Sequence, residues 1–341
     1  MRRCLRCFIY LFLPGLLADA AVLCAQEAPP RHYICYQTKG FPDAAAWQKA
    51  PWSEDFTDIE GASRPAPLYR TRMKMLWDTT YLYILAEMEE PHVWGTLRRH
   101  DTIIYQDNDF EVFIDPDGDT HQYFEIEVNA LNTVMDLFMS KPYRNGGRAM
   151  INWDTKGLRT AVRINGTLND PRDRDSSWTV EIAIPFRSLG FYNARIVPED
   201  GATWRINFSR VQWEADVRGG RYIKRPRTPE YNWVWSLQGI INMHAPEKWG
   251  YLQFSKQPAG GEKIAFREPP AAAAQKQLWE IYYRQQQYRR QHRQYAKDTG
   301  SLGWSGNATI EATSSQFTAT IREEGIVSII NEEGKITSYH E

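Results

Sequence analysis

Phe110-Glu111-Val112-Phe113-Ile114-Asp115, then Pro116-Asp117-Gly118-Asp119, then Tyr123-Phe124-Glu125-Ile126-Glu127-Val128, is the stretch whose reading decides the fold. Two runs of β-branched and aromatic residues flank a break of Pro, Asp and Gly, which is turn chemistry between strands. The pair predicts an antiparallel hairpin. Alternate residues of a strand share a face, so Glu111 lies with Asp109, and Glu125 with Glu127. Four carboxylates on neighbouring strands repel unless they are solvated, paired with arginine or holding a cation.

The same signature repeats outward from this hairpin. Residues 72–77 and 81–87 form a second strand pair, parted by Asp78-Thr79-Thr80. Further runs lie at 158–164, 178–184, 204–213, 233–237 and 249–254. Many short strands with turn punctuation predict a two-sheet antiparallel β-sandwich over residues 26–256. No helical period of useful length interrupts it, and residues 185–189 offer one short helical turn.

Residues 257–274 change character, with Pro258, Gly260, Gly261, Pro269, Pro270 and four alanines reading as a linker. Beyond it, 275–297 reads as a long helix, with Leu278, Ile281, Tyr282, Tyr288 and Tyr295 near one face. Two hairpin-like segments, 308–321 and 326–339, complete a small α+β unit over 275–341. Asn331-Glu332-Glu333-Gly334-Lys335 has the form of a turn with glycine at its left-handed position.

At the other end, Arg2, Arg3 and Arg6 precede an apolar stretch over 7–17, and small residues lead to Cys24-Ala25. That pattern predicts a cleaved secretory signal over 1–25 and export to the periplasm, cell surface or medium. Lipid attachment at Cys24 ranks second, because Leu23 is bulky for such a site. No later segment is apolar enough to span a bilayer. Cys35 then stands alone after the signal, so no intrachain disulfide forms, and it reads as a small buried strand residue. A net charge of −1 supplies no field to gather polyanions and excludes nucleic acid as a partner.

Three markers then carry a resemblance. They are Met75-Leu76-Trp77-Asp78 through Tyr81-Leu82-Tyr83-Ile84, Asn108-Asp109-Phe110-Glu111-Val112-Phe113-Ile114-Asp115, and Trp233-Val234-Trp235-Ser236 through Pro246-Glu247-Lys248-Trp249-Gly250-Tyr251-Leu252. In this order and spacing the chain resembles carbohydrate-binding module family 9 of secreted bacterial proteins. The resemblance implies a two-sheet β-sandwich and an oligo- or polysaccharide ligand. It implies that Glu111 contacts sugar and that Tyr105, six residues earlier, stands where one tryptophan of a sugar clamp falls. It puts Glu127, two residues before Asn129, where the family has an arginine, and Met243, between Asn242 and His244, where it has the second clamp tryptophan. The chain departs from the family at both. An aromatic content of 13 Trp, 18 Tyr and 14 Phe agrees with a surface on which sugar C–H faces stack.

Tyr105, Glu111 and Glu127 are therefore the expected centre of the site, set against the plain alternative of a polar outer face with scattered ion pairs. Asn242, Met243 and His244 occupy a loop that floors a cleft or simply plugs a sandwich end. Trp94 and Trp213 are loop and strand-end candidates for stacking, weighed against core packing. Asp115, Asp117 and Asp119 with Gly118 have the oxygen-rich spacing of a Ca2+ loop, weighed against a solvated Asp-Gly turn, and no other cofactor is called for.

The expected activity is non-catalytic carbohydrate binding, in association with glycan-degrading proteins. The alternatives are a glycoside hydrolase or its subunit, a b-type haem sandwich using Met243 or His244, and a structural surface protein whose site has decayed. No Gly-rich phosphate loop, Ser-His-Asp spacing or His-Glu-x-x-His motif is present.

Overall fold

The structure is a computed structural model and describes residues 29–190 and 196–341. The expected signal segment, with Cys4, Cys7 and Cys24, lies outside the described residues. The strands of the first unit are β1 His32–Gln37, β2 Thr57–Asp58, β3 Thr71–Trp77, β4 Tyr81–Glu89, β5 Asp109–Asp115, β6 Tyr123–Asn129, β7 Val134–Met139 and β8 Ala149–Met150. They continue as β9 Arg159–Asn165, β10 Ser177–Pro185, β11 Thr203–Gln212, β12 Ala215–Arg218, β13 Arg221–Lys224, β14 Tyr231–Val234 and β15 Gly250–Pro258.

Hydrogen bonding orders these as β8-β7-β6-β5-β11-β15-β1-β3-β4-β10-β9, with β14 on β11 and β2 on β14. The two halves of this path make a β-sandwich and enclose one core, to which inward residues of β3, β4, β5, β6, β10, β11 and β15 all contribute. Trp77, Phe186, Trp204 and Phe254 meet edge-to-face at its centre. Both hairpins read from the sequence pair as expected, β3 with β4 and β5 with β6, each antiparallel.

One strand departs from the all-antiparallel expectation. β1 runs parallel to both β15 and β3 and joins the two halves of the sandwich. A parallel neighbour needs a long crossover, and the chain between β1 and β3 supplies one. Within that crossover sits a helix the β reading lacked, α1 Ala44–Lys49, nucleated where Asp43 Oδ1 accepts the Ala46 amide at 2.8 Å.

The C-terminal unit has its own core. Helix α2, Ala272–His292, buries Leu278, Trp279, Ile281 and Tyr282 against a four-stranded sheet of β16 Thr309–Ala312, β17 Phe317–Glu323, β18 Ile326–Asn331 and β19 Ile336–His340. The helix starts inside the stretch read as linker, because Ala272 and its neighbours are the strongest helix formers. It stops before the expected 297, where Arg293 turns left-handed and its amide caps Arg289.

Candidate functional site

The register of β5, β6 and β11 sets Glu111 opposite Glu127 on one side and Ser209 on the other, with Glu125 opposite Phe113. The period of two sends Phe110, Val112, Ile114, Phe124, Ile126 and Val128 into the sandwich core. Asp109, Glu111, Glu125 and Glu127 therefore lie together on the other face, beside a second apolar cluster that includes Phe113, Tyr123, Met135 and Trp249. None of the four acids is more than 5% exposed. No lysine or arginine of the described residues forms an ion pair with any of them; the nearest basic group is His244, whose Nε2 is 3.6 Å from Glu125 Oε2.

Burial pushes all four carboxyls upward, because the charged form loses its hydration. Neighbouring acids raise them further: Glu127 acts on Glu111, Glu111 on Asp109 and Glu125, and Glu125 on Glu127. Glu125 is pushed up to about 8. His244 goes the other way, lowered to about 4 by burial, and is neutral beside them.

Two exposed tyrosines flank this row. Tyr105, 37% exposed, sits on a short 3-10 turn anchored by the buried Ile104. Its amide donates to Glu127 Oε2 at 2.9 Å, and its carbonyl accepts from Trp213 Nε1 at 2.7 Å. The Trp213 amide in turn donates to Asn108 Oδ1 at 2.8 Å. Lys224 Nζ lies 3.8 Å over the Trp213 ring and donates to the Gln106 carbonyl at 2.6 Å.

Tyr143, 48% exposed, sits on another 3-10 turn, Tyr143–Asn145. Its ring meets His244 edge-on, with centroids 4.5 Å apart. Burial raises its hydroxyl pKa, and so do the charges of Glu125, Glu127 and Tyr105, which places it within electrostatic reach of the β6 acids. Tyr105 thus meets the row at Glu127, and Tyr143 reaches it beside His244, which approaches Glu125.

The turn bearing Tyr143 is held from outside the sandwich. Arg144 makes a bidentate pair with Glu247 at 2.8 Å in both bonds and lies 5.3 Å over the Trp279 ring. Asn145 Oδ1 accepts from the Tyr282 hydroxyl at 2.8 Å, its amide group donates to the Glu333 carbonyl, and the Tyr283 hydroxyl donates to Glu247. Trp279, Tyr282, Tyr283 and Glu333 all belong to the C-terminal unit.

The structure brings Tyr105, Glu111 and Glu127 together. His244 lines the same patch, its Nδ1 engaged with the Tyr123 hydroxyl at 2.9 Å. Asn242 shapes that loop, its Oδ1 accepting the His244 amide at 3.0 Å. Three expectations are corrected. Met243 is buried in the apolar cluster, and its carbonyl accepts from Trp249 Nε1 at 2.8 Å, so it plugs the fold instead of flooring a cleft. Trp94 is 4% exposed, held inside a loop whose Val93 and Gly95 amides donate to Asp175 at 2.7 Å and Asn169 at 3.1 Å. Trp213 has one face covered by Lys224 and serves to hold Tyr105.

Asp115, Asp117 and Asp119 do converge, with one oxygen of each within 4.8 Å of the others. Yet Asp115 accepts from the Gly118 and Thr120 amides at 3.0 and 2.8 Å, and Asp119 is met by Lys335 Nζ at 3.0 Å. The turn is also where the C-terminal sheet docks: Thr120 Oγ1 donates to the Gly334 carbonyl at 2.7 Å and the Ile336 amide to the Asp119 carbonyl at 3.1 Å. Tyr143 and Glu125 are members of the patch that sequence reasoning did not single out. Glu125 was legible as the alternate partner of Glu127, whereas nothing local marks Tyr143 apart from its place after Pro142.

Comparison with known proteins now adds its findings. A segment of 128 residues, 37% of this chain, is 26% identical to an exoglucanase, XynX, of Acetivibrio thermocellus. The same extent and identity relate it to an endo-1,4-beta-xylanase A of Thermoanaerobacterium saccharolyticum. The match spans only 10% and 9% of these two enzymes. A candidate carbohydrate-binding protein from Bacteroides uniformis superposes with a TM-score of 0.51 at 14% identity, covering 67% of this chain and all of that one, a likeness of fold. The family model described as carbohydrate family 9 binding domain-like matches residues 40–221, more than half of the sequence, and the chain therefore belongs to that family.

Proposed function

We propose that this chain is an exported, non-catalytic protein that binds an oligo- or polysaccharide between Tyr105 and Tyr143. The observation that carries the reading is the pair of partly exposed tyrosine rings set beside a buried acidic row. Aromatic faces accept the C–H face of a sugar, and of the row Glu111, 5% exposed, and Glu125, 4% exposed, leave an edge for its hydroxyls. Family membership and the sequence relation to xylan- and glucan-active enzymes support cello- and xylo-oligosaccharides as first ligands to try. Partnership with glycan-degrading proteins belongs to the same proposal. No helix of the described residues is long and apolar enough to cross a membrane.

Two rival activities receive less support. Hydrolysis needs an acid and a second carboxylate on either side of a wet cleft. Glu111 and Glu127 instead sit side by side on paired strands and are buried together. A haem iron needs room for its macrocycle beside an imidazole or thioether, whereas His244 is walled by the rings of Phe113, Tyr123 and Tyr143 and Met243 is packed in the apolar cluster.

The test is calorimetric titration of the full chain with xylo- and cello-oligosaccharides, alongside Tyr105→Ala. Saturable binding that weakens about tenfold in the variant is expected. Equal affinity in both proteins would remove Tyr105 from the site, and no binding to any glycan of a broad panel would remove the function.

A further inference from the structure

The acidic row makes a chemical demand of its own. Two other buried carboxylates, Glu90 and Asp107, have partners on both oxygens. Glu90 pairs with the buried Arg210 at 3.1 Å and accepts the His92 amide at 3.0 Å. Asp107 accepts from the Thr96 and Leu97 amides at 2.6 and 2.8 Å and from Asn129 at 3.1 Å. Asp109 is as deeply buried as either, yet neither of its oxygens accepts a well-formed hydrogen bond, although the Val211 amide approaches it. Ser209 Oγ, fully buried directly across from Glu111, approaches that carboxyl without a well-formed bond, and Glu125 Oε2 lacks one too. One oxygen from each of Asp109, Glu111 and Glu127 lies within 4.8 Å of the other two.

We propose that Asp109, Glu111 and Glu127, with the Ser209 hydroxyl, hold a divalent cation of the Ca2+ class, and that this ion coordinates vicinal sugar hydroxyls between Tyr105 and Tyr143. The donor set is all oxygen, which suits a hard cation and not zinc or copper. Three carboxyls on three registered positions would give up their protons to a bound dication, which offsets their charge on a face where no lysine or arginine of the described residues pairs with them. Ca2+ accepts irregular oxygen cages, while Mg2+ demands near-ideal octahedral geometry and keeps its waters. The trio of Asp115, Asp117 and Asp119 differs in kind, because amides and Lys335 already meet its oxygens. The ion site stands on its own geometry; only the coordination of sugar rests on the saccharide reading.

The experiment titrates CaCl2 into metal-stripped full-length protein near neutral pH, by calorimetry and thermal unfolding. One saturable site and a higher unfolding midpoint are expected. Asp109→Asn should weaken Ca2+ at least about tenfold while leaving the metal-free protein as stable or more so, since it relieves like-charge repulsion. Asp117→Asn should change neither. No heat and no midpoint shift at millimolar Ca2+ or Mg2+ overturns the site, as does a Ca2+ response lost in Asp117→Asn and kept in Asp109→Asn. Saccharide titration with Ca2+ or with EDTA separates the two halves. Binding that needs Ca2+ supports both, and binding indifferent to EDTA overturns coordination of sugar by the ion. Ca2+ binding with no saccharide binding supports the ion site and sinks the saccharide reading.

Discussion

Tyr105 and Tyr143 present the same kind of ring to the same acidic row, but different parts of the chain hold them. The Tyr105 turn is fastened within the sandwich, by Glu127, Trp213 and Lys224. The Tyr143 turn is fastened largely by the C-terminal unit, through Tyr282, Trp279 and Glu333. One rim of the candidate site is therefore intrinsic to the family fold and the other is borrowed from a separately cored unit. Changes far from the sugar can thus reach it through Tyr143 but not through Tyr105.

The sharpest way to break this contrast is Arg144→Ala. It strips the partner from Glu247, whose side chain is 3% exposed, and an unpaired buried carboxylate costs about 3 kcal/mol. A lowered unfolding midpoint together with weaker saccharide binding is expected; a destabilised protein with unchanged affinity would mean that the C-terminal unit does not position Tyr143. Next come Tyr105→Ala and Tyr143→Ala. Each should weaken binding about tenfold, or ~1.4 kcal/mol, with little change in thermal stability because both rings are partly exposed.

Smaller effects separate the two supports. Trp213→Phe and Tyr282→Phe each delete one hydrogen bond to a rim, worth about 1 kcal/mol. Both should reduce affinity a few-fold, and combining Trp213→Phe with Tyr105→Ala should add nothing beyond the alanine, since each acts through the same ring.

The mildest test is pH. His121 is buried at the junction with Lys335, Lys141, Glu333 and Asp119 around it. Burial first, then Lys335, lowers it to about 4, whereas the unfolded histidine titrates near 6.5. The neutral ring favours the folded, docked state, so that contribution is complete above about pH 6.5 and is lost as pH falls toward about 4. The difference in unfolding midpoint between the parent protein and His121→Gln should shrink from about pH 6.5 toward about pH 4, a comparison in which the raised carboxyls of the acidic row cancel.

How much of this was legible can be judged residue by residue. The hairpins at 72–87 and 110–128 were, because strand periodicity and Pro-Asp-Gly turn chemistry are local properties. The acidic alternation of Glu111 and Glu127 was legible for the same reason. The parallel insertion of β1 was not, since pairing direction depends on partners more than 200 residues away in the chain. Trp94 in its loop and Trp213 at its strand end offered the same choice between stacking and core packing, and only packing buried one indole and set a lysine on the other. Tyr143 gave no local sign at all.

The order of residues by itself determined a β-rich unit, a following helix with hairpins, and a face on which carboxylates alternate, because turn propensity and a period of two act over a few neighbouring residues. Tertiary packing alone buries those carboxylates without a lysine or arginine partner among the described residues, and sets a tyrosine held by a second unit beside His244 at their edge. Burial and long-range contacts arise when distant segments pack, and no short window of sequence contains that information.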